Sequence, residues 1–375
     1  MKIAIVNTLP IPSGQASVNR LLSYSKGLIE LGDSVEVISS AQAEIAEGEI
    51  HGVKYRNVRG HGNKSLLFAL HKILNIVRKG NFNAVIIVSN SLMLIYPLWI
   101  ICKIYGIKII QEKSEFPFVI MKKGIINILW AKFYTATTYK LFDGLIVMTK
   151  PLLDYFSTRI KQKCKLIEVP MTVDLDRFSV SKSNNNQYGD YIAYCGNMAG
   201  NKDGVINLID AFHIAAPNIP SIKLLLIGGS SDQKDFNAIK AYAADKGYGR
   251  IVFYGIASRN EIPHLLLNAK ALALARPSSL QSEGGFPTKL GEYLATSNPV
   301  VVTSVGDIPH YLNKNNSYIV EPNNNSLFAA KIVEIFRNYK IACEIGKNGR
   351  NIAELYFNYK VQSKRIHEFF INQIL

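Results

Sequence analysis

Acid is scarce in this sequence: 28 aspartates and glutamates face 43 lysines and arginines in 375 residues, a formal net charge of +15. That balance points to an anionic partner. Cysteine is sparse as well. Cys102, Cys164, Cys195 and Cys343 lie far apart with no Cys-x-x-Cys spacing, which excludes a disulfide framework or thiolate metal site and fits reduced thiols in a cytoplasm. The seven histidines form neither His-x-His nor His-Glu-x-x-His, so no metal site is expected. Long apolar runs are missing too. Met1 to Val6 reads as a strand entering a polar loop, without the apolar core of a signal peptide. The longest apolar region, Ala84 to Ile110, is broken by Ser89-Asn90-Ser91, Pro97, Lys103 and Lys108. Its stretch Leu92 to Ile104 is shorter than the roughly 20 residues a span needs, so a buried strand and helix are expected instead.

What is present describes a globular chain, 48% hydrophobic and 19% charged, long enough for two domains. Residues 1 to 180 carry 23 Lys or Arg against 13 Asp or Glu, the rest 20 against 15. The first half is therefore the side to meet an anion. Met121 to Leu141 interleaves Lys122, Lys123, Lys132 and Lys140 with Ile125, Ile128, Trp130 and Phe133. It reads either as an interfacial amphipathic helix or as a core helix with snorkelling lysines. No signature of a nucleic-acid module occurs, and nucleic acid is not an expected partner.

Apolar runs of strand length alternate with helical patterns. Strand Lys2 to Val6, a loop carrying Gly14, helix Ser17 to Leu31 stopped by Gly32 and strand Ser34 to Ile38 open a doubly wound α/β domain, whose ligand lies beyond the carboxyl ends of its strands. Ala41 to Gly62 reads as a polar stretch in which His61 is an ordinary loop histidine. Strand Ala84 to Val88, helix Leu92 to Tyr105 and strand Lys108 to Ile110 follow. Glu112 and Glu115 then stand at a strand's carboxyl end, either holding acceptor hydroxyls or as surface acids before a turn. After Asp174-Leu175-Asp176, the Asn-rich run Ser181 to Gln187 is the expected linker. Strand Tyr191 to Tyr194 begins a second alternation. It runs into Gly196, Asn197, Gly200, Lys202 and Gly204, and later strands end in glycine corners such as Gly228. A glycine turn with a lysine before a helix suits a diphosphate.

The chemistry concentrates between Leu274 and Thr303. A strand ends at Arg276, a loop carries Glu283, Gly284, Gly285 and Phe286, and Pro287 marks a helix start, with Thr288 and Lys289 in the first turn and Glu292 one turn on. A cation near a helix start, followed by a carboxylate, suits a ligand with phosphate at one end and hydroxyls at the other. Gly285 to Ala295, Gly-Phe-Pro-Thr-Lys-Leu-Gly-Glu-Tyr-Leu-Ala, followed by Pro299-Val300-Val301, resembles the retaining nucleotide-sugar glycosyltransferases of family 4, which have the GT-B fold.

The resemblance implies two Rossmann-like domains facing across a cleft, residues 1 to 178 on the acceptor side and 179 to 357 on the donor side, with a final helix near 358 to 375 returning to the first. It also implies sugar transfer from a nucleoside-diphosphate sugar to a glycan or lipid-linked hydroxyl, with no metal or cofactor, in cell-surface polysaccharide synthesis at the inner face of a membrane. Glu292 corresponds to the ribose-binding glutamate. The usual first acid falls on Gly284, with Glu283 beside it as the sugar-binding acid. Lys202 corresponds to a phosphate lysine, while Asn197 replaces an arginine, leaving Arg276 and Lys289 as substitute cations. Gly14, Gly196, Gly228, Gly285, Phe286, Pro287 and Thr288 complete the implied donor site. Asp174-Leu175-Asp176 matches the segment entering the interdomain linker, which removes a metal role. A catalytically inactive GT-B partner subunit and a sugar epimerase on the same fold are the alternatives.

Overall fold

The computed structural model describes residues 1–59, 66–117, 133–181, 187–230 and 232–375. His61, the 121–132 part of the lysine-rich segment and most of the Asn-rich run lie outside the described residues. The chain divides into two compact units, Met1–Thr172 with Tyr359–Leu375, and Val173–Asn358.

In the first unit, β1 (Lys2–Asn7), β2 (Ser34–Gln42), β3 (Glu47–Ile50), β4 (Val53–Arg59), β5 (Ala84–Val88), β6 (Lys108–Lys113), β7 (Gly144–Val147) and β8 (Lys165–Glu168) form a sheet in the order β3-β4-β2-β1-β5-β6-β7-β8. All neighbours are parallel except β3 and β4. That pair replaces the polar stretch expected from Ala41. His51 at φ 51° and Gly52 at φ 80° form its two-residue turn, the pair of left-handed residues a tight hairpin requires. Buried Asn57 in β4 accepts from the Ile11 amide at 3.0 Å and donates to the Ile45 carbonyl at 2.8 Å, fixing the loop after β1.

Helices α1 (Ala16–Glu30), α2 (Leu66–Lys79), α3 (Leu92–Ile104) and α4 (Lys150–Ser157) cover this sheet. The helix at the far end of the sequence, Tyr359–Phe369, lies against α1. Its Ser363 hydroxyl donates to the Tyr24 carbonyl at 2.9 Å, and its Tyr359 hydroxyl donates to Glu30 Oε1 at 2.8 Å. Ser363 sits where a side chain at Gly27 would stand. Ile366, Phe369, Phe370 and Ile374 join Ile3, Ile5, Val18 and Leu21 in one core.

The second unit holds β9 (Tyr191–Cys195), β10 (Lys223–Ile227), β11 (Ile251–Gly255), β12 (Ala271–Leu274), β13 (Val300–Thr303) and β14 (Tyr318–Val320), parallel in the order β11-β10-β9-β12-β13-β14. The chain winds outward from β9 to β11, then returns to β12 on the other flank. The switch point therefore lies between the carboxyl ends of β9 and β12, where this topology opens a crevice. Helices α5 (Val205–Ala215), α6 (Gln233–Lys246), α7 (Glu261–Leu267), α8 (Leu280–Gly284) and α9 (Thr288–Ala295) connect the strands around that point.

Candidate donor site

Two turns meet at the switch point. The first follows β9. Four of its amides are spent within the fold: Gly196 N–H donates to the Ile227 carbonyl at 2.9 Å, Met198 N–H to the Gly229 carbonyl at 2.9 Å, Ala199 N–H to Asn197 Oδ1 at 2.9 Å and Gly200 N–H to Asp235 Oδ2 at 2.9 Å. Those four amides are engaged within the protein, one of them by the Asn197 side chain. Its glycines act by size. A Cβ at Gly228, whose φ is +125°, would run into the Gly196 carbonyl, and one at Gly204, φ +72°, into the Ala275 carbonyl. A Cβ at Gly196 would fall on Lys289 Cε.

The second turn follows β12 and contains a helix the sequence reading lacks. Ser279 caps α8, its hydroxyl accepting from the Ser282 amide at 3.1 Å while Ser282 Oγ accepts from the Ser279 amide at 2.8 Å, a reciprocal capping box. Glu283 lies exposed on α8, with Gly284 and Gly285 buried behind it. Phe286 is buried and packs on Phe357 and Tyr311 with ring centroids 5.3 and 5.6 Å apart, anchoring the turn to the core. Pro287 is the N-cap of α9 and gives it no side-chain cap, so the anion-favouring end of that helix stays uncapped. Thr288 opens the helix, half-buried. Further along, the buried Tyr293 hydroxyl accepts from the Cys195 amide at 2.7 Å and straps α9 to β9.

The charged groups converge here. Lys289 reaches across the Gly196 turn to an ion pair with Asp203 Oδ2. Arg276, 2% exposed, lies with Nε 3.5 Å from Asp203 Oδ1. Lys202 is exposed one residue before Asp203. Lys289, Arg276 and Lys202 together hold the Asp203 carboxyl below its ordinary value against the burial that opposes them. Glu292 is half-buried and paired at 2.6 Å with Arg177, whose other nitrogen donates to the Arg259 carbonyl at 2.9 Å. Arg177 belongs to a short turn, Leu175–Phe178, capped by Asp174 Oδ1 accepting from the Asp176 amide at 3.2 Å. Asp174 thus serves as a cap. Sequence reasoning missed Asp203 and Arg177 as site residues. The signals were an acid inserted between Lys202 and Gly204, and an arginine whose partner lies over a hundred positions away.

The remaining candidates belong to the first unit. Gly14 is exposed on the loop after β1, with nothing within 4 Å of a Cβ placed there. Glu112 is not the open acceptor contact expected: it is buried, with Oε1 2.7 Å from Arg20 Nε and Oε2 accepting from the Tyr24 hydroxyl at 2.7 Å. Arg20 also donates to the Val169 carbonyl at 2.6 Å. Glu115, past the end of β6, is half-exposed. No group of metal-ligating side chains occurs among the described residues, and no helix among them is long and apolar enough to cross a membrane.

Residues 176–352 match the family model described as glycosyl transferases group 1. No curated protein matches the chain. Among solved structures, sucrose-phosphate synthase from Thermosynechococcus elongatus superposes with a TM-score of 0.77 at 15% identity, covering 99% of this chain and 98% of that one. Anabaena HepE in complex with UDP and glucose gives 0.77 at 16%, covering 99% and 100%. WaaG, a glycosyltransferase involved in lipopolysaccharide biosynthesis, gives 0.70 at 13%, covering 99% and 100%. At such identities the likeness is one of fold, and the fold is GT-B.

Proposed function

We propose, on the premise that residues 176–352 are a glycosyl transferases group 1 domain in a chain of GT-B fold, that the protein moves a sugar from a nucleoside-diphosphate sugar to an acceptor hydroxyl with retained anomeric configuration, without metal or cofactor. The observation that carries this reading is the gathering of Lys202, Lys289 and the uncapped start of α9 at the switch point, with the Glu292–Arg177 pair one helical turn away. As the bond from the anomeric carbon to the diphosphate breaks, negative charge grows on the departing phosphate and positive charge on the sugar ring. Fixed cations and helix-end amides aimed at that phosphate lower the barrier. Lys289 and Lys202 serve there, and Arg276 acts from beneath through Asp203. Glu292, oriented by Arg177, takes the ribose hydroxyls, and Glu283 faces the transferred sugar. The departing phosphate accepts the proton of the incoming hydroxyl, so no separate base is required.

HepE is solved with UDP and glucose, which supports a nucleotide-sugar donor. WaaG is involved in lipopolysaccharide biosynthesis, which supports a glycan or lipid-linked acceptor and a role in cell-surface polysaccharide assembly. Gly14 and Glu115 are assigned to the sugar and acceptor side. Contact with an anionic membrane surface is supported by α2 and α3, where Leu67, Phe68, Met93, Ile100 and Ile104 are exposed and where no acid occurs between Glu49 and Glu112. A binding subunit without turnover is the second reading, favoured by Asn197 closing the turn where relatives place a cation.

The test is thermal unfolding with UDP-, dTDP-, ADP- and GDP-sugars, followed by transfer assays. One nucleotide sugar at about a hundredfold its Kd should stabilise the protein by about 2.7 kcal/mol, and Glu292→Ala should abolish the shift. No shift with any of them defeats the donor reading, and a shift without transfer promotes the binding subunit.

A further inference from the structure

Asp203 is an acid where an anion is expected to bind. It is 7% exposed, and its carboxylate engages Lys289 through Oδ2 and Arg276 through Oδ1. The Tyr194 hydroxyl lies 3.3 Å from Oδ2. No other carboxylate pairs with Lys289 among the described residues, whose side chain is 14% exposed and lies over Gly196. Gly196 is therefore small so that the lysine can reach this acid. The carboxylate stays ionised despite burial because the surrounding cations outweigh desolvation.

We propose that Asp203 is an internal counter-ion, a positioning residue that holds Lys289 across the Gly196 turn and yields it to the diphosphate of the donor, then reclaims it as the nucleoside diphosphate leaves. This rests on the donor reading above. A buried cation without a counter-charge is costly, so the empty site needs an anion of its own. The same carboxylate competes with the ligand's phosphate for one ammonium. It weakens ground-state binding of donor and product alike, and it sets the position from which Lys289 meets the charge that builds on the departing phosphate. The expected signature is a split: without the carboxylate, diphosphates bind more tightly while turnover slows. A residue that merely held the fold together would lose both.

The experiment measures binding of UDP, dTDP, ADP and GDP, each alone, by titration calorimetry, with steady-state kinetics on the donor the wild type uses. Asp203→Asn should bind its nucleoside diphosphate about fivefold more tightly, which is what an ion pair of about 1 kcal/mol is worth, with KM and kcat both lowered. Asp203→Glu, which keeps the charge, should restore kcat and leave product affinity near the wild type. In a Lys289→Gln background the Asp203→Asn change should have no further effect on affinity. Equal or weaker binding by Asp203→Asn overturns the counter-ion role. Should that variant not fold, Lys289→Gln decides: undiminished affinity for the nucleoside diphosphate overturns the proposal, and a loss supports it. Failure of the wild type to bind any of the four removes the donor reading, and the counter-ion role with it.

Discussion

Glu112 and Lys113 are neighbours at the end of β6 and meet opposite fates. Glu112 turns inward to Arg20 and Tyr24, so Glu112→Gln leaves a guanidinium buried without its charge partner. The variant should lose about 3–5 kcal/mol in urea unfolding. Lys113 is 3% exposed and hydrogen-bonded to Asn90 Oδ1 and, at 3.0 Å, to the Tyr134 hydroxyl. Burial lowers its ammonium from the usual lysine range to about 7. The unfolded chain then binds the extra proton between about pH 7 and 10, so this residue's contribution to stability rises with pH across that window. Burial raises the Cys102 and Cys164 thiols to about 12, which opposes the trend at the alkaline end. The clean measurement is the stability of wild type minus that of Lys113→Met at pH 7.0 and 8.5, expected to move in the wild type's favour as pH rises. Glycines divide as sharply. Gly228→Ala places a methyl in a left-handed backbone against the Gly196 carbonyl and should cost about 1–3 kcal/mol, whereas Gly14→Ala should stay within about 0.5 kcal/mol; thermal melts separate the two. The sequence made Glu112 legible as a carboxylate at a strand end, because strand position follows from local pattern. Which way it faces depends on Arg20, far off in the chain, and pattern carries no such information.

The elements around the donor site were the most legible part of the chain. Pro287 before Thr288, Leu290 and Leu294 marks a helix start by local chemistry alone, and α9 begins there. The preceding one-turn helix α8 was hidden because five residues are too few to show a period. Its signal was the spacing of Ser279 and Ser282. Ser279→Ala removes the capping hydroxyl and should cost about 1 kcal/mol, lowering affinity for the nucleotide sugar more than global stability if α8 presents Glu283. Paired denaturation and ligand titrations check that. The hairpin of β3 and β4 escaped for a different reason. Its alternation of Val53, Tyr55 and Asn57 against Lys54 and Arg56 is a strand signal, but two glutamates and a glycine on the partner strand mask it. Buried Asn57 then carries a role, bonding to the backbone of Ile11, that hydropathy cannot reveal.

At the scale of the molecule, most of the parallel strands in both sheets were legible from alternation, since each strand-to-helix step is a local event. The seam was harder. It falls at Thr172 and again after Asn358, ahead of the Phe178 boundary read from the sequence, because the turn Leu175–Phe178 is held by the Arg177–Glu292 pair to α9. The second unit is therefore an insertion within the first, which the final helix completes through Tyr359, Ser363 and the apolar residues beyond them. On the ribosome this order has a cost in time. The whole of the inserted unit emerges, and has every partner it needs to fold, while the groove on α1 beside Gly27 still waits for residues 359 to 375. The unit begun first is the last to close, and until those residues emerge its apolar face stays uncovered.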